Sequence, residues 1–166
     1  IIDKAVFPGF QGGPHENAIA SLAITLELAT KPAWKNYAKL VIKNSQALAS
    51  ALQKLDYKII SGGTDNHLMV VDLTNKNISG KEAETRLATA GLLVSRSTIP
   101  ADPRPPYNPS GIRIGTPAIT TRGFKPADMK NLAQLIDNIL KTKDDRELKT
   151  RAQAVKKLTK KLTISK

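Results

Sequence analysis

Cysteine is missing from all 166 residues, which excludes disulfides and thiolate metal sites and agrees with a reducing compartment. Histidine is nearly missing as well. His15 and His67 stand far apart, neither with a second ligand at i+3 or i+4, so no metal is expected. No apolar run reaches the roughly 18 residues of a membrane span, and the N-terminus lacks the layout of a signal peptide. The chain is therefore expected to be soluble and cytoplasmic. Aromatic residues are only 4% of the chain, and a nucleophile beside an obvious base is not legible anywhere.

Acidic residues are also few, 14 against 26 Lys and Arg, for a net charge of +12. The imbalance is local. From Lys141 to Lys166 there are ten Lys or Arg and three Asp or Glu, a net +7, which leaves +5 for the first 140 residues. The aromatics that a nucleic-acid stacking platform needs all precede this tail. A stand-alone basic nucleic-acid module is thus one reading of the charge but not the leading one, and nucleic acid is not an expected partner.

What is present points to an α+β unit with helices on one face of a small sheet. Ile1 enters a strand-like or loop segment. Phe7-Pro8-Gly9 and Gly12-Gly13-Pro14 read as turns ahead of a helix starting near Glu16 or Asn17. From Ala18 to Ala29 that helix is apolar on nearly every side, which predicts burial. Lys31-Pro32 breaks it. A longer helix from Ala33 to Leu55 carries a one-sided stripe including Leu40, Val41, Leu48 and Leu52, fit to pack on a sheet. Strands are expected at Asp56 to Ile60, Leu68 to Leu73 and Leu92 to Ser95. A helix from Gly80 to Ala90 has Ser79 as cap and Gly91 as stop, and another runs from Pro126 to Leu140. Polar residues Thr64 to His67 should tie a turn. Asp145 to Leu162 reads as a solvated terminal helix.

Ser110-Gly111-Ile112-Arg113-Ile114-Gly115-Thr116-Pro117-Ala118 concentrates the chemistry. In an alternating strand Ile112 and Ile114 face the core, while Arg113 points the other way between glycines that leave a ligand room. A guanidinium stays charged and offers a bidentate fork to a carboxylate or phosphate. The alternative is an ordinary solvated strand arginine. Just before it lie five prolines between Pro100 and Pro109, a stiff loop placed to wall a site, or a PxxP ligand. The Gly12-Gly13 pair ahead of a helix can aim backbone amides at a phosphate, although it matches neither glycine-rich phosphate motif and by itself reads first as a plain loop.

Several strings together resemble one family. Val6-Phe7-Pro8-Gly9 with Gln11-Gly12-Gly13-Pro14, Ser61-Gly62-Gly63-Thr64-Asp65-Asn66-His67, Gly80-Lys81-Glu82-Ala83, and the Arg113 string with Thr121-Arg122-Gly123-Phe124 occur in the order and spacing of serine hydroxymethyltransferase. The resemblance runs from Asp3 to about Leu140. It implies a pyridoxal-phosphate enzyme of aspartate-aminotransferase-like fold type I, α/β overall, interconverting serine and glycine with one-carbon transfer to tetrahydrofolate. It further implies a homodimer or homotetramer.

On that resemblance, Arg113 grips the amino-acid carboxylate, and Gly12 and Gly13 reach the pyridoxal 5'-phosphate phosphate held by the neighbouring subunit. Residues 1–30 become the end of the large cofactor-binding domain, 31–140 the small C-terminal α+β domain and 141–166 a basic helical tail. The family's Schiff-base lysine belongs upstream of Ile1, and Lys4 is not its counterpart. The chain is therefore expected to be a C-terminal part that does not catalyse alone. Ser97 stands where the family usually has asparagine near the folate ring, and a hydroxyl lacks an amide's separate donor and acceptor. Another pyridoxal-phosphate lyase, such as a threonine aldolase, remains the alternative within the same fold.

Overall fold

The computed structural model describes residues 1–142 and 144–160 and divides into two units, Ile1–Asn36 and Tyr37–Lys166. The first unit is helical. A turn of helix, α1 (Ile2–Lys4), forms where the sequence suggests strand or loop, and it runs into Ala5–Phe10, whose Phe7 and Pro8 have the non-helical backbone of the turn expected there. α2 follows at Glu16–Thr30. Its predicted burial is not observed within the chain, where Ile19, Leu22, Ile24, Leu26 and Leu28 are all more than half exposed. An all-round apolar helix needs cover on every side, and a unit of three helical pieces has no sheet to supply it.

α3 (Pro32–Gln53) starts with proline at its first turn, where a missing N–H costs nothing, and runs across the division. In the second unit four antiparallel strands, β1 (Lys58–Ile59), β2 (Leu68–Asp72), β3 (Ser95–Ser97) and β4 (Gly111–Gly115), form a sheet in the order β1-β2-β4-β3. β1 is shorter than the sequence suggests because the chain turns into a 3-10 helix at Ile60. β3 lies two to three residues later than expected. Its only pairing is with β4, Ser97 opposite Gly111 and Ser95 opposite Arg113, and β4 ends at Gly115, where the Thr116 amide donates to the His67 carbonyl at 2.9 Å. The ladder between β3 and β4 begins only at Ser95, so Leu92 and Leu93 lie ahead of it.

α4 (Gly80–Thr89) is capped as expected, the Ser79 hydroxyl accepting from the Glu82 amide at 3.1 Å. Gly91 follows at φ 89°, the left-handed conformation that ends a helix. The helix start presses on the sheet so closely that a Cβ on Gly80 would lie 2.1 Å from the Gly111 carbonyl oxygen. α5 (Pro117–Thr121), not foreseen, turns the chain after β4 towards α6 (Met129–Lys141). Asn44, buried on α3, donates to the Thr120 hydroxyl and the Phe124 carbonyl, both at 2.9 Å, and Thr116 donates to the Val41 carbonyl at 2.9 Å. These bonds join α3 to the segment that leaves β4.

The core is the inner face of this sheet with α3, α4 and α6, including Leu48, Leu52, Val71, Leu87, Ile112, Phe124, Met129 and Ile139. α7 (Asp145–Lys160) corrects another expectation. It is docked rather than solvated, with Leu148 and Val155 only 4% exposed and contacts to α4 and α6. Leu162 lies outside the described residues.

Candidate functional site

β4 separates the two faces of the sheet as its alternation demands. Ile112 and Ile114 are buried, and Arg113 is exposed on the outer face. Register then sets its neighbours. Opposite residues of an antiparallel pair share a face, so Val70 of β2 and Ser95 of β3 flank Arg113 in one row. Ser97, opposite Gly111, occupies the same face one row along, about 7 Å away at strand spacing. The structure thus brings Arg113 and Ser97 onto one surface. Gly115 leaves that surface low on one side of the guanidinium, while over Gly111 the Ile99 side chain stands 2.8 Å from where a Cβ would be.

A cleft of about 430 Å³ opens over Arg113, bounded by His67 and Leu68 at the start of β2, Leu93 to Ser95 on the approach to β3, and Gly115. The Arg113 guanidinium has no hydrogen bond or ion pair among the described residues, whereas Arg86, Arg96 and Arg151 each have a glutamate. An uncommitted guanidinium in a cleft is a receptor for an anion with two oxygens. His67 is a lining residue that sequence reasoning assigned to the turn. The turn is instead tied by its neighbours, the Thr64 hydroxyl donating to the Leu68 carbonyl at 2.6 Å and the Leu68 amide to the Asn66 side chain at 2.9 Å.

The proline-rich loop is held by a residue that the sequence reading passed over. Asp102 accepts from the Ser110 hydroxyl at 2.6 Å, the Ser110 amide at 3.0 Å, the Arg104 amide at 2.9 Å and the Ile99 amide at 3.2 Å. Its burial opposes ionisation, but Ser110, Arg104 and Ile99 outweigh that cost and hold the carboxyl down at about 2. One carboxylate therefore ties the exit of β3 to the entry of β4. Asp102-Pro103, an Asp-Pro turn starter, was the available signal.

Gly12 and Gly13 belong to the first unit. Their amides make no backbone hydrogen bond among the described residues. Neither glycine has positive φ, and a Cβ on either would meet nothing within 4 Å. The local fold therefore does not require glycine at these positions, and the two amides stand ahead of the 15-residue α2 without a backbone partner among the described residues, an arrangement that suits an anion. His15 at the N-cap provides no side-chain bond that would compete. Among the described residues no cluster of three His, Asp or Glu could hold a metal, and no helix is long and apolar enough to cross a membrane.

The family model for serine hydroxymethyltransferase matches residues 1–136. This span takes in both glycines, the whole sheet, the Arg113 cleft and most of α6. The chain belongs to the serine hydroxymethyltransferase family, whose fold is that of the pyridoxal-phosphate-dependent transferases.

Proposed function

We propose that this chain is the C-terminal part of an enzyme interconverting serine and glycine with one-carbon transfer to tetrahydrofolate, and that Arg113 receives the amino-acid carboxylate. The observation that carries the reading is the uncommitted guanidinium at the centre of the outer sheet face. A bidentate pair there fixes the carboxylate and so the orientation of the reacting α-carbon. Pyridoxal phosphate, when bound, supplies the electron sink for cleavage at that carbon. Gly12 and Gly13 give two amides to its phosphate across a subunit boundary, in a homodimer or larger assembly. Ser97, on the Arg113 face, lies towards tetrahydrofolate. Residues 1–30 are the end of the large domain and 31–140 the small one; that every residue from 1 to 28 is exposed within this chain supports that division. Without the upstream lysine the chain alone cleaves no serine.

Calorimetry on the full-length enzyme tests this. Arg113→Ala should weaken glycine binding by about 2 to 5 kcal/mol, the cost of truncating one partner of a charge pair that the assembled, ligand-filled site desolvates, with the pyridoxal phosphate content unchanged. Arg113→Lys should recover only part of the loss, because a point charge lacks the fork. Unchanged glycine affinity in Arg113→Ala would sink the assignment. Ser97, in place of asparagine, favours a second reading as a lyase such as a threonine aldolase. Retro-aldol cleavage equally fast with and without tetrahydrofolate would select it.

A further inference from the structure

α7 lies beyond the family match, which ends at residue 136, so the family's activity does not account for its outer surface. Its inner surface is committed. Leu148 and Val155 are buried, Leu158 is partly buried against the core, and Val155 lies beside Gly91. At 3.6 residues per turn, Arg146, Lys149, Lys156, Lys157 and Lys160 all fall within about 100° of arc on the opposite side, with Gln153 at its centre. All five are exposed. None has an acidic partner among the described residues. Arg151, off this arc, is paired with Glu147 at 2.7 Å. The helix is thus a rigid, docked bar with one cationic edge. From Arg146 to Lys160 that edge measures about 21 Å at 1.5 Å per residue, the length over which each strand of a DNA duplex presents about six phosphates along the helix axis.

We propose that this edge of α7 is a docking surface for the phosphate backbone of a nucleic-acid strand, separate from the Arg113 cleft. A basic amphipathic helix commonly marks a lipid surface, but there the apolar face must be free to enter the bilayer, and here Leu148 and Val155 already occupy the core. What remains is electrostatic. No aromatic residue lies in α7, so base stacking and sequence preference are not expected, and recognition is of the backbone alone. This is a second surface on a family enzyme rather than the stand-alone module considered from composition.

Fluorescence anisotropy of the full chain with a labelled, mixed-sequence 20-nucleotide RNA tests it. Engagement of five phosphates predicts a slope of about −3.5 in log K against log salt, at about 0.7 per contact for a single strand. K149E/K156E/K157E/K160E should bind at least about 100-fold more weakly. K43E/K54E/K81E/K130E, with the same net charge on exposed lysines elsewhere, should bind within about fivefold of the unchanged chain. The neutral variant K149Q/K156Q/K157Q/K160Q, checked for native circular dichroism, guards against misfolding and should also lose most of the affinity. Equal loss in the α7 and control variants, or a slope shallower than −1, overturns the proposal. So does competition by phosphatidylserine vesicles as effective as unlabelled RNA at equal phosphate concentration, which would mark a lipid surface.

Discussion

α2 and α6 are both rich in leucine, isoleucine and alanine, yet they meet opposite fates. α6 confines its apolar residues to one stripe, and Met129, Leu132, Ala133, Ile136, Ile139 and Leu140 are all buried against the sheet side of the second unit. α2 spreads them around its circumference and buries none. A stripe needs one surface, which a four-stranded sheet provides. An all-round helix needs several, and the first unit has none of its own. Hydrophobic pattern therefore states how much cover a helix needs, and the neighbours decide whether it is met.

The sharpest way to break this comparison is to truncate one side chain in each helix of the chain and follow urea unfolding. Ile139→Ala, at a fully buried position, should cost about 2 to 5 kcal/mol. Leu26→Ala, at 59% exposure, should stay within about 0.5 kcal/mol. Comparable losses from the two would mean that α2 is buried in solution by something the chain itself supplies.

The glycines allow the same contrast. Gly80→Ala forces a Cβ against the Gly111 carbonyl and should destabilise by about 1 to 3 kcal/mol, as overpacking does. Gly13→Ala has open space and should leave the chain as stable or slightly more so. In the full-length enzyme the same Gly13→Ala should raise the dissociation constant for pyridoxal phosphate. A Gly13→Ala protein that unfolds more easily but binds cofactor normally would make the pair a structural turn.

A smaller effect separates helix starts. Ser79→Ala should lower the urea midpoint by the equivalent of about 1 kcal/mol, the usual worth of an N-cap. His15→Ala at the start of α2, where no side-chain cap is made, should change it little.

The smallest effect is the acid limb. Asp102 has a depressed folded pKa, so its contribution is complete above the unfolded carboxylate value of about 3.9 and disappears as pH falls through about 2. Between pH 4 and 2 the second unit should lose more stability with Asp102 than in Asp102→Asn, whose side chain does not titrate. Parallel acid limbs for the two proteins would remove Asp102 from the account.

Much of this was legible beforehand. The Arg113 strand, with Ile112 and Ile114 inward, follows from a period of two. The Ser79 cap, the Gly91 stop and the Pro32 start follow from local backbone chemistry, which any chain with those residues shares. α5 and the two-residue β1 were not legible, because both are cut short by the turns and neighbours around them rather than by their own propensity. β3 was misplaced for a related reason: Leu92 to Val94 has the apolar character of a strand, but pairing with β4 begins only at Ser95.

The sequence by itself determined the family, through four strings kept in order, and the one cation built into a glycine-bounded strand. Those are properties of residues close together in the chain. Tertiary structure alone decided that Arg113 is left without an acid among the described residues while Arg86, Arg96 and Arg151 are paired, that Ser97 shares its face, that Asp102 closes the proline loop, and that α7 packs its leucines inward and turns five cations out. Each of these depends on register or packing between distant segments, and no local pattern carries that information.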